Sequence, residues 1–308
     1  MGASTVFINV LVMLFYMACG FFLVKGKKAE PDHAKTLSGL LIYVCGPCLV
    51  LSAFQKMEYS PENSRKALVF FVVCMAVQLL FFAILYAVFH KRYGNARYRI
   101  LTAGAIFGNV GYFGLPLVTA LFPDQPLVAC YSTMYVTAMN ILVFTLGVFL
   151  ITHDRRFISL KQAFLNPTSL AVLVAIPLYL LQIRFPAVLA DTVALLGKMT
   201  APLCMVVLGL RLASMNGKEV FARPFAYLVC TLKLLIFPLF AWLCVRFLPG
   251  VDDVFRITLV VLSAAPSAAI ILSLSELYGC EQKLSANVVL LATVFSAATL
   301  PLLLLVLT

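Results

Sequence analysis

Residues 103–121 read AGAIFGNVGYFGLPLVTAL, and this stretch decides how the chain can fold. It lies inside an apolar segment long enough to cross a bilayer, yet it cannot run as one unbroken helix. Gly104, Gly108, Gly111 and Gly114 crowd it, and Pro116 lacks a backbone donor and presses on the preceding turn. In hydrocarbon a freed backbone group costs several kcal/mol unless protein, water, ion or substrate satisfies it. A broken helix at membrane depth therefore belongs where it lines a cavity, and polar Asn109 falls in the break. The competing reading is a Gly-rich helix packed closely on its neighbours, with Gly104 and Gly108 as a small-xxx-small pair.

The whole chain has the composition that such a segment requires. Of 308 residues 63% are apolar and 11% charged, and the mean hydropathy is +1.04, values of a polytopic membrane protein. The length allows about ten spans of ~20 residues with short connections. The net charge of +11 would point to nucleic acid in a soluble chain. Here it follows the loops, so no nucleic-acid partner is expected. The nine cysteines are odd in number and scattered through apolar segments, which argues against a disulfide framework. Cys45-Gly46-Pro47-Cys48 has thioredoxin-type spacing, but mid-membrane it lacks the βαβ context and exposed thiolate that this chemistry needs, and Gly46-Pro47 reads as a kink. No metal or cofactor motif stands out, and no HExxH, GxSxG or paired intramembrane aspartate suggests an enzyme. Apolar residues begin almost at once, and Lys25, Lys27 and Lys28 follow them, the arrangement of a first helix whose N-terminus is exported rather than of a cleaved signal.

Taken in order, the apolar segments predict helices near residues 4–24, 36–54, 67–89, a broken fourth at about 100–121, 127–151, 167–181, 192–212, 224–248, a ninth at 254–277 interrupted at Ser263-Ala-Ala-Pro266-Ser267, and 284–307. Loops after odd helices hold fifteen Lys or Arg and loops after even helices six, so the positive-inside bias puts both termini outside.

The halves look like copies. Pro47 answers Pro202, Pro116 answers Pro266, and Asn140 before ILVFT answers Asn287 before VVLLAT, at offsets of 155, 150 and 147 residues. A five-helix unit is odd in number, so its second copy must enter from the opposite side. The fold class expected is an all-α polytopic membrane protein with ten transmembrane helices as a 5+5 inverted repeat, residues 1–152 and 153–308, with broken crossover helices four and nine. Matching interrupted helices in inverted repeats are the pattern of secondary transporters, with substrate where the breaks meet. Half-helix N-termini there suit an anionic group, from N–H groups around residues 115–118 and 267–269. Asn109, Ser263 and Ser267 would add side-chain hydrogen bonds, and Asn140 and Asn287 are candidates to line the site. Two lysines, Lys198 and Lys233, lie mid-helix, where an unpaired charge is costly. Lys198 is the stronger candidate for a cationic partner to an anionic substrate, Lys233 the weaker. Glu276 reads as a residue of the cytoplasmic rim.

GNVGYFGLPLV at 108–118, LSGLLIYVCGPCLVL at 37–51 and AAPSA at 264–268 resemble the auxin efflux carrier family, and the likeness spans the chain. It implies a ten-helix fold shared with the bile-acid/sodium symporters. Helices one, two, six and seven would form a scaffold, and helices three to five and eight to ten a bundle that moves in an elevator-like cycle. It implies a small organic anion as substrate, with the first crossover at Asn109, Gly111, Gly114 and Pro116 and the second at Pro266 and its neighbours. A cell-membrane location and a homodimer through the scaffold follow from the same resemblance. The coupling ion stays open. The alternative is a sodium- or proton-coupled symporter of the bile-acid type, weakened by the lack of a midplane acid; a channel is the third class.

Overall fold

The structure, a computed structural model, describes all residues except 1–2, 31, 123, 159–160, 162–164, 166, 215–222 and 308. Lys218, counted above among the loop cations, lies outside the described residues. The elements are α1 (Ala3–Lys25), α2 (His33–Gln55), α3 (Pro61–Phe89), α4a (Ala96–Ile106) and α4b (Leu115–Leu121), α5 (Leu127–Thr152), α6 (Pro167–Leu180), α7 (Ala187–Ala213), α8 (Pro224–Arg246), α9a (Asp253–Ser263) and α9b (Ala269–Leu277), and α10 (Gln282–Leu307). Five of them, α2, α3, α5, α7 and α8, are long and apolar enough to cross a membrane. Among the described residues the only extended pairing is a single antiparallel bridge, Gly108 to Ser267.

Proline shapes the helices in a recurrent way. Widened π turns occupy Leu41–Cys45 in α2, Val110–Gly114 before α4b and Leu232–Ile236 in α8, and the α-helix resumes each time with a proline in its first two positions: Pro47, Pro116 and Pro238. A proline cannot donate to the carbonyl four residues back and its ring crowds that carbonyl, so the preceding turn opens by one residue and the helix continues. The sequence reading of a kink at Gly46-Pro47 is this wide turn, and Cys45 and Cys48 are both free thiols.

Packing is closest where side chains are smallest. α1 lies on α7 so tightly that a Cβ at Gly20 would run into the Val206 carbonyl and one at Gly209 into the Met17 carbonyl. α2 packs on both α6 and α7, and the Arg184 guanidinium, in the α6–α7 loop, donates to the Gln55 and Met57 carbonyls at the end of α2. α3 packs on α5, α8 on α10 and α9a, and α5 on α9a. Phe70 on α3 stacks with Tyr131 on α5 at 4.4 Å between ring centres, with Phe255 on α9a edge-on to both.

Candidate functional site

The two interrupted helices meet backbone to backbone. After α4a the chain is extended at Phe107 and Gly108; after α9a it turns at Ala264 and runs extended to Ala268. The Asn109 N–H donates to the Pro266 carbonyl at 2.6 Å, and the Ala268 N–H donates to the Phe107 carbonyl at 2.9 Å. Each break thus satisfies backbone groups that the other leaves open, which is what makes interruption tolerable in a dry interior. Ser267 Oγ donates to the Gly104 carbonyl at 2.8 Å, tying the second break to the last turns of α4a.

The carbonyls of Ile106 and Ser263, the last residues of α4a and α9a, point to a common partner at the crossing. Lys233 Nζ donates to both, at 3.1 Å each, from the π turn of α8. The residue is fully buried, and its ammonium also sits 4.5 Å from the centre of the Phe237 ring. A Cβ on Gly108 would stand 2.9 Å from Nζ and 3.2 Å from the Ala265 carbonyl, so glycine is the residue that lets backbone, backbone and ammonium converge.

On the other side of the first break is a cavity of ≈ 1140 Å³. Its floor is Gly108 to Tyr112 of the first break and Ala268 to Ile270 of the second, with walls from α2, α5 and α6. The N–H groups at the start of a helix have no preceding turn to bond to. Here the second half of the fourth helix begins at Val110, since Phe113 and Gly114 N–H both donate to the Asn109 carbonyl. The Val110 N–H donates to the Gly108 carbonyl at 2.8 Å, so its open end is at residues 111–112. The start lies five residues before the 115–118 expected from the proline, because the wide turn carries the helix back through Gly111 and Gly114. The start of α9b faces the same cavity. Asn109 is 5% exposed, and the contact recorded for its amide is a long one, Nδ2 to Cys204 Sγ at 3.9 Å. Asn140 and Thr133 line the α5 wall, Tyr112 the floor, and Lys161 is the one cation and no carboxylate contributes among the described lining residues.

Of the residues singled out in the sequence, Asn109, Gly111 and Asn140 line the cavity. Gly114 lies behind it, where a Cβ would meet Leu262 Cδ2 at 2.9 Å, so it sets the approach of the fourth helix to α9a. Pro116 stands in the first turn of α4b. Pro266 supplies the carbonyl that receives Asn109 N–H. Ser263 and Ser267 are fully buried and turned into the protein: Ser263 Oγ is 3.3 Å from the Tyr135 hydroxyl. Asn287 is buried on α10 and is not among the lining residues. Lys198 is exposed and off the cavity. Its neighbour Gly197 is pressed on α2, with a Cβ 2.9 Å from Leu49 Cα, and the next residue along a helix turns about 100° away from that contact. The two lysines thus exchange rank. The available signal was Gln78: it is the polar residue at mid α3, fully buried, and it precedes Lys233 by 155 residues, the offset that relates Pro47 to Pro202.

Several membrane-length apolar helices around a cavity floored by two interrupted ones describe a multi-pass membrane protein with an internal cavity. Comparison with known proteins agrees. The family described as "Membrane transport protein" matches residues 5–156 and 151–304. An uncharacterized transporter of Methanocaldococcus jannaschii is 24% identical over 294 residues, covering 93% of this chain and 94% of the relative. Another, of Methanothermobacter thermautotrophicus, is 28% identical, covering 98% and 97%. The chain belongs to this family, that of the auxin efflux carriers, and is a transporter rather than an enzyme.

Proposed function

We propose that this transporter carries a small organic anion, a carboxylate with an apolar body, bound at the crossing of its fourth and ninth helices. The observation that carries the reading is that both half-helix N-termini, at residues 111–112 and 269–270 just past the bonded Val110 and Ala268 N–H groups, open on one cavity whose described lining holds a lysine and no acid. Helix N-termini present N–H donors and about half a positive charge each. Asn109 and Asn140 add donors, while the apolar side chains of α2 and α6 accommodate the rest of the molecule. A monocarboxylate fits this lining directly; a dicarboxylate would set its second group toward Lys161.

In this proposal the chain spans the cell membrane ten times as a 5+5 inverted repeat, with both termini outside. The contacts of α1 with α7 and of α2 with α6 and α7 support a scaffold. Those of α3 with α5, of α8 with α10, and of both sets through α9a support a bundle that moves against it. The cavity lies between the two groups, since α2 and α6 form one wall and the breaks and α5 the other, which is the placement an elevator-type cycle needs. A homodimer through the scaffold remains part of the proposal on the resemblance alone.

The test is thermal stabilisation of the purified protein by a panel of mono- and dicarboxylates, since a ligand that binds the folded state raises Tm by mass action. A monocarboxylate that raises Tm, and whose saturable counterflow in proteoliposomes needs markedly more substrate in Asn109→Ala, supports the reading. Stabilisation by neutral or cationic solutes alone overturns it.

A further inference from the structure

A cation is built into the crossing, and its place is one where a mobile ion would otherwise be held. The C-terminal ends of α4a and α9a converge there. Each helix C-terminus carries about half a negative charge on its unpaired carbonyls, so the two together offer about one unit. Lys233 Nζ is the group that meets them, at 3.1 Å from both the Ile106 and Ser263 carbonyls. These are acceptors, and the remaining neighbour is the face of Phe237, which also attracts a cation. None of the ion pairs among the described residues includes Lys233. Gly108 has no side chain at the point where one would strike the ammonium, so the first break is shaped around it. Lys233 stands within the π turn before Pro238, on the buried side of α8.

We propose that the Lys233 ammonium is a tethered substitute for a coupling cation: it occupies and neutralises the converging helix ends, so that this carrier binds its substrate without sodium or another inorganic cation. The half-helix N-termini then face the anion across Gly108 from the tethered ammonium, and no ion has to be captured before the substrate. The inference rests on the anion-carrier reading for what it says of transport. Its claim about the cation site stands on geometry alone.

The experiment therefore reads stability first, with no anionic substrate present. Wild-type protein is melted in sodium, potassium, methylammonium and choline chlorides at equal ionic strength, and so are Lys233→Ala and Lys233→Met. The wild type melts at the same temperature in all four salts. Lys233→Ala melts several degrees lower in choline and recovers much of the loss in millimolar sodium or methylammonium, which enter the vacated site. Lys233→Met, whose side chain fills the space without a charge, is destabilised and not rescued. Sodium-dependent stabilisation of the wild type overturns the proposal, as does a Lys233→Ala protein that choline supports as well as sodium and methylammonium do. If Lys233→Ala does not accumulate, the wild-type melts decide. Proteoliposome uptake of a carboxylate found in the panel above is then expected to proceed at the same rate with sodium or choline outside. Lack of any carboxylate substrate would count against the anion reading and leave the melting result intact.

Discussion

The two breaks are made of similar residues and do different work. In the first, three residues separate the half-helices, and Gly108, Asn109, Gly111 and Tyr112 face the cavity. In the second, five residues separate them, and the polar ones are spent on the protein itself: Ser263 on Tyr135, Ser267 on the Gly104 carbonyl, Pro266 O on the Asn109 N–H. What the second break gives the cavity is the start of α9b and small apolar residues. A similar asymmetry holds between Asn140, on the cavity wall, and Asn287, buried away from it. A duplicated sequence feature therefore identifies a shared backbone geometry without assigning the same role to both copies. In the proposed site the first repeat contacts the ligand and the second holds the first in place.

The largest effect expected from this contrast is at Gly108. Gly108→Val puts a branched side chain where a single Cβ already meets Nζ at 2.9 Å and the Ala265 carbonyl at 3.2 Å. The crossing must separate, and transport should fall below detection with Tm lowered by several degrees. Ser267→Ala, at the other half of the same bridge, leaves the Gly104 carbonyl without its donor and should cost about 1–3 kcal/mol of stability while reducing uptake only in part. Equal loss of uptake at matched Tm would erase the division of labour.

Next in size is the pair of asparagines. Asn109→Ala removes a nearly buried amide from the cavity floor and should weaken carboxylate binding about 10- to 100-fold, the value of a hydrogen bond to a charged group, with little change in Tm of the unliganded protein. Asn287→Ala should do the reverse, lowering Tm and leaving the affinity of folded protein within about threefold, less than 0.7 kcal/mol. Isothermal titration with the same carboxylate, alongside melting curves, separates the two. A weakened affinity in Asn287→Ala would place α10 in the site.

The fold was legible to the degree that it depends on hydrophobic runs and proline. Every apolar segment read from the sequence is a helix, and both interruptions fall at Gly108–Asn109 and 264–268, where glycine, proline and polar residues coincide. Less legible was what depends on the way a helix is turned about its axis. Lys198 and Lys233 are both mid-helix lysines four and five residues before a proline, and hydropathy cannot separate them. Gly197 seals one face of α7 and Lys198 turns away from it, whereas Lys233 lies on the buried stripe of α8 with Ala226, Cys230, Phe237 and Ala241. The start of the second half of the fourth helix was likewise set too late, because Pro116 looks like a beginning and in fact stands two residues after a π turn.

The smallest expected effect concerns the seam between the two groups of helices. Arg211 at the end of α7 and Glu276 near the end of α9b pair at 3.3 Å, with about half of the Glu276 side chain exposed. An exposed pair is worth about 0–1 kcal/mol, so Glu276→Gln should scarcely move Tm. If α7 belongs to a fixed scaffold and α9b to a moving bundle, the pair forms in one state and opens in the other. The same substitution should then alter the rate of exchange by a few-fold without altering affinity, more at low ionic strength than at high, since salt screens an exposed pair in the wild type already. An affinity change with an unchanged rate would mean that α7 and α9b travel together, and would redraw the boundary between scaffold and bundle while leaving the crossing intact.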